Sequence, residues 1–148
     1  MSNNNYIIIV ASVFLLAISW AQTVCAGVAV IAHPSVPTKS VSSSELLDFY
    51  TGDVKMWGTG DAVIIFDLRS KSGVKDTFYG FLGKTSSRMK SIWMKNMLSG
   101  EGRPPEALES EAMMLERVAA TPGAIGYINE AKVDGNVVVI AVIDTDKD

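Results

Sequence analysis

Apolar residues recur along this chain in short runs, and the spacing within each run predicts the element it forms. Val28 to Ala32 is apolar throughout and stops at His33-Pro34, which predicts a buried strand. Ser42-Val-Ser-Ser-Glu45 offers a capping box, with a serine hydroxyl for a free helix N–H and a glutamate reaching back. The helix it opens carries Leu46, Leu47, Phe49 and Tyr50 and ends at Thr51-Gly52. An irregular stretch from Val54 to Gly60 holds Trp57, expected to be buried. Ala62 to Phe66 is β-branched and apolar at successive positions, which predicts a central strand covered on both faces.

Beyond the polar loop Arg69 to Gly73, the positions Val74, Phe78, Phe81 and Leu82 follow a helical period. Thr85 or Ser86 can cap a further helix over about Arg88 to Leu98, and Ser99 to Pro105 reads as a loop. Ser110 caps a helix with Met113, Met114, Leu115 and Val118 on its apolar side, stopped by Thr121-Pro-Gly123. Ala124 to Ile128 then reads as a strand. Asp134-Gly135 is a strong hairpin signal leading into the last strand, Val137 to Ile143, and Asp144 to Asp148 reads as a charged, frayed tail. The order β, α, β, α, α, α, β, β is that of a three-layer α/β domain. In such domains ligands bind at the carboxyl ends of strands.

The first stretch differs from all of this. Ile7 to Ala21 is apolar and uncharged, about as long as the core of a secretory leader, and Val24-Cys25-Ala26 follows it with small or modest residues at a cleavage position. Residues 1–26 are therefore expected to be a signal peptide, leaving one domain over 27–148 outside the cytoplasm, periplasmic or secreted. Two alternatives stay open. The run falls short of the roughly 20 apolar residues of a membrane span, yet its first residues lack Lys and Arg, so a retained anchor is the main rival. Acylation at Cys25 is the other.

Composition narrows the partners. The 148 residues carry a net charge of -3, which argues against nucleic acid, because phosphate-backbone binding needs concentrated positive charge. The single cysteine, Cys25, lies in the leader, so residues 27–148 form no internal disulfide. They are enough for one hydrophobic core and too few for two full domains.

One loop has chemistry in it. Arg69-Ser70-Lys71-Ser72-Gly73 leaves a strand and enters a helix, where unpaired N–H groups and the positive dipole end favour an anion. Gly73 lets the backbone approach a ligand, Arg69 can grip an oxyanion with two parallel hydrogen bonds, and Lys75 is expected to add charge to the same turn. A Ser-Gly pair before a helix is also a plain N-cap, and local chemistry leaves both readings open.

Four stretches stand in a telling order: Val28 to Pro34, Ser44 to Gly52 with Trp57, Arg69 to Gly73 with Phe78, and Thr121 to Tyr127, which contains Gly-Ala-Ile-Gly-Tyr. In that order they resemble the periplasmic phosphate-binding-protein family, the solute receptors of phosphate ABC transporters. The resemblance runs from about residue 28 to residue 142. It implies an α/β fold, a three-layer single lobe of the type II periplasmic-binding-protein-like kind. It also implies a binding protein rather than an enzyme, and phosphate contact at Arg69, Ser72 and Gly73, with Ser70 in the same loop. No cofactor is expected. The chain departs from the family at Val74, where the family has Thr, and in spacing Arg69 and Ser72 by two residues where three are common. It also has residues for one lobe only. Weak binding of phosphate or a similar oxyanion is expected, with an envelope membrane protein or a second copy as partner. The alternative is an accessory or interaction protein of an envelope complex or sensor that keeps the fold without the ligand.

The remaining candidates have plainer readings. His33, the only histidine, has no second His and no Cys within residues 27–148 to share a metal with, so a structural or surface place is expected. Met89, Met94, Met97, Met113 and Met114 fit core faces of helices. Glu101, Glu106, Glu109 and Glu111 read as solvated charge near a helix start. No nucleophile–base pair stands out, and metal and catalytic sites are not expected.

Overall fold

The computed structural model describes residues 27–145. The leader expected over 1–26 and the end of the charged tail, 146–148, lie outside the described residues. Five strands form one sheet: β1 (Val28–Ala32), β2 (Ile64–Leu68), β3 (Glu106–Leu108), β4 (Ala124–Asn129) and β5 (Val138–Ile143), in the order β3-β2-β4-β1-β5. The helices are α1 (Ser43–Thr51), α2 (Gly73–Phe81), α3 (Ser86–Ser99) and α4 (Glu111–Ala120), with a short 3-10 turn at Glu130–Lys132.

Each helix starts on a hydroxyl. Ser42, Ser72, Thr85 and Ser110 all accept a first-turn N–H, and Ser42 forms the full capping box with Glu45. The two bonds from Ser42 hold the Glu45 carboxyl below the usual glutamate range. α1 and α3 end on Gly52 and Gly100, both left-handed.

The helices lie on both faces of the sheet, as a three-layer domain requires. At the centre, β4 turns Gly126 to one side and Tyr127 to the other. A Cβ at Gly126 would come 2.4 Å from Met114 Sδ and 2.9 Å from Val118 Cγ2, so the missing side chain is what lets α4 close on the strand. On the opposite face Tyr127 stacks on Phe78 of α2, ring centroids 4.0 Å apart, and Tyr50 of α1 meets Phe78 edge-on at 4.9 Å. The indoles tie the outer pieces to this core. Trp57, buried as expected, donates to the Gly123 carbonyl at 3.1 Å, and Trp93 of α3 donates to the Tyr50 carbonyl at 2.8 Å.

Three expectations are corrected. The Asp134-Gly135 turn does not pair β4 with β5. β1 is apolar and buried at all five positions, so it takes an interior place, antiparallel to β4 on one edge and to β5 on the other. The turn forms, with Asn136 N donating to Asp134 Oδ1 at 2.9 Å, but it reverses the chain within a return segment. The strand expected over Ala62–Phe66 lies two residues later. Ala62 instead bridges Met56, and Ile64 at the strand's start is 36% exposed, so this strand is not covered on both faces throughout. Finally, β3 was not anticipated. It pairs parallel to β2 from Phe66↔Glu106 to Leu68↔Leu108, inside what reads in sequence as loop and helix-start charge.

Candidate anion site

The loop Arg69–Ser72 sits at the carboxyl end of β2. Arg69 N still donates to the Leu108 carbonyl at 2.8 Å, so the ladder with β3 fixes where the loop begins. Ser72 fixes where it ends. Its Oγ accepts from Lys75 N at 3.2 Å and its carbonyl from Asp76 N at 3.0 Å, so the plain cap is made. A helix start has more N–H groups than one cap satisfies. Here those of Gly73 and Val74 have no intrachain partner among the described residues. A Cβ at Gly73 would meet nothing within 4 Å, so packing does not require glycine there and the space above the turn is open.

The site residues read from the sequence come together in part. Ser70 and Lys71 are exposed beside the turn. Arg69 Nη1 lies 2.9 Å from Glu109 Oε1, with side chains 64% and 56% exposed. A pair so wet is worth about 0–1 kcal/mol, so an incoming anion can compete for the guanidinium. Lys75 does not join them. It is buried, and its Nζ turns inward to Asp67 Oδ2 at 2.8 Å and to the Leu68 carbonyl. The reason is Asp67, a carboxylate on the Tyr127 face of the sheet that the sequence reading left unassigned. It is 3% exposed, accepts Tyr127 OH on its other oxygen, and takes Lys75 as its counter-charge. The signal was available: an acid directly after an apolar strand, with a lysine eight residues on in the next helix.

Burial, and then the Asp67 charge, push the phenols of Tyr127 and Tyr79 far above the ordinary tyrosine range. Tyr79 OH is buried with no hydrogen-bond partner among the described residues.

The other candidates fall elsewhere. His33 Nδ1 accepts from Ser35 N at 3.0 Å, a local turn bond. Among the described residues no three of His, Cys, Asp and Glu gather in a way that could hold a metal ion. Met89 and Met114 are core, but Met94, Met97 and Met113 stand 46%, 47% and 40% exposed, contrary to the core reading. Glu111 stands in the first turn of α4 as expected, and three of the four glutamates are also paired: Glu106 with Arg117 at 2.7 Å, Glu109 with Arg69 at 2.9 Å and Glu111 with Lys132 at 2.8 Å.

No protein-family model matches the chain. By sequence it is 27% identical over 113 residues to the phosphate-binding protein PstS of Bacillus subtilis, a match covering 72% of this chain and 32% of that protein. By structure it is similar to a phosphate ABC transporter substrate-binding protein from Clostridium perfringens, solved with bound phosphate. The TM-score is 0.65 at 21% identity, over 78% of this chain and 44% of the other. An ABC-type phosphate transport receptor from Vibrio cholerae gives a TM-score of 0.61 at 18% identity, over 78% and 45%. The chain thus resembles these receptors in sequence and shares their fold, and it spans about a third of the curated relative's length and under half of each solved chain.

Proposed function

We propose that this chain is a binding protein, not an enzyme, and that it holds phosphate or a related oxyanion at the start of α2. The observation that carries the reading is the open first turn. Among the described residues Gly73 and Val74 N–H have no partner, Gly73 leaves room above them, and Ser70, Ser72 and an exchangeable Arg69 stand beside them. That arrangement lies in a fold shared with proteins described as phosphate receptors. We read residues 1–26 as the leader that exports the domain, and an envelope membrane protein or a second copy as its partner.

Affinity follows from exposure. A receptor that closes two lobes on its ligand excludes water, whereas an anion on one lobe stays solvated and screened by salt. Weak binding is therefore expected unless a partner closes the site. Calorimetric titration of the full chain with phosphate, sulfate as control, tests this. The expected result is saturable phosphate binding that Arg69→Ala abolishes; no heat from either form rejects the reading.

A second reading has its own support. Lys75 is spent on Asp67, Arg69 is engaged by Glu109, and Val74 offers no hydroxyl. On that reading the chain is an interaction protein of an envelope complex or sensor, and Arg69→Ala leaves its partner contact unchanged.

A further inference from the structure

Beside the α2 loop lies a cleft of about 560 Å³, the size of a site for a small organic molecule rather than a bare ion. Its polar side is cationic. Arg69, Lys71 and Lys90 line it, and among the described residues the one carboxylate in the lining, Asp67, is already paired with Lys75. The chain carries -3 overall, so this concentration of positive charge runs against its average.

The rest is apolar. Lys90, Trp93, Met94 and Met97 recur at helical spacing on α3, so one stripe of that helix carries a cation at one end and soft apolar side chains along its length. Pro104 and Pro105 contribute to the same lining. Met94 and Met97 are about half exposed, so this wall shows water an apolar surface. In the first turn of α3, Ser86 also lines the cleft, and its Oγ is buried with no hydrogen-bond partner among the described residues. Such a hydroxyl costs stability until something satisfies it.

We propose that this cleft takes an organic phosphate. The phosphoryl head lies among Arg69, Lys71, Lys90 and Ser86, and an aromatic or aliphatic body lies along Trp93, Met94 and Met97. The cleft adjoins the anion site and shares Arg69 with it, so the proposal rests on the phosphate reading only through that residue.

Phenyl phosphate and inorganic phosphate, titrated separately into the full chain, test it. Partial burial of the ring predicts binding about tenfold tighter for phenyl phosphate. Met94→Gln with Met97→Gln, two changes on an exposed helix face that leave the core intact, is expected to abolish that preference, and Lys90→Ala to weaken phenyl phosphate. Equal affinities for the two probes, or a preference that survives the double substitution, overturn the proposal. Inorganic phosphate binding without the preference leaves the oxyanion reading standing and removes this one. Phenyl phosphate binding in the absence of any inorganic phosphate binding does the reverse.

Discussion

Lys75 Nζ lies 2.8 Å from Asp67 Oδ2, with the two side chains only 11% and 4% exposed. The pair joins the first turn of α2 to the end of β2, and so holds the loop between them. It also keeps the Lys75 charge out of the anion site. Breaking such a pair from one side leaves an uncompensated buried charge, which costs about 3–5 kcal/mol. Lys75→Met is expected to lower unfolding free energy in urea by that much, and Asp67→Asn added to it to restore part of the loss. A cost under about 1 kcal/mol contradicts the burial of the pair.

Gly123 precedes β4 at φ +79, and a Cβ there would stand 2.4 Å from the Ala62 carbonyl oxygen. Backbone cannot yield as a flexible side chain does. Gly123→Ala is expected to cost about 2–3 kcal/mol from left-handed strain and the clash together. A melting temperature equal to that of the unaltered chain would show that the turn before β4 is looser than described.

Tyr50, Tyr79 and Tyr127 are all held neutral, first by burial and then by the Asp67 charge. Their folded pKa values are raised above the unfolded value of about 10. The stability this gives is therefore complete below about pH 10 and is lost as pH rises past it. Absorbance titration of phenolate is expected to show these three ionising together with loss of tertiary structure. Smooth ionisation of any of them in the folded chain would contradict the core arrangement.

The strands β1 and β4 are legible because they are buried on both faces, and their continuous apolar runs are short and bounded by His33-Pro34 and by Pro122-Gly123. Pairing was not legible in the same way. Asp134-Gly135 marks a reversal, but whether the strands on either side touch depends on β1, more than a hundred residues earlier, which needs two neighbours. β3 escaped because three residues with one buried side chain, Leu108, carry no period. In the site, the cap and the exposed Arg69 followed from local pattern, whereas the inward turn of Lys75 depended on a carboxylate across the loop. Met94 and Met97 of α3 fit a core stripe in sequence yet stand exposed, because helical spacing shows that a stripe exists and not which way it faces.

Gly73 separates fold from function most cleanly. It occupies the first position of α2 with no positive φ, and an added Cβ would meet nothing within 4 Å, so the fold does not require glycine there. Gly73→Val is expected to leave stability within about 0.5 kcal/mol, as for a substitution away from packed features. It should nonetheless weaken phosphate binding by crowding the space above the turn. Unchanged phosphate affinity in this variant would place the anion elsewhere.

The most direct measurement is the amide nitrogen and proton shifts of Gly73 and Val74 during phosphate titration of the full chain. Saturable movement of these two resonances, with the same apparent affinity and lost in Arg69→Ala, is the predicted result. Phosphate additions that leave both amides in place, or that shift only resonances remote from α2, would contradict an oxyanion site at the start of that helix.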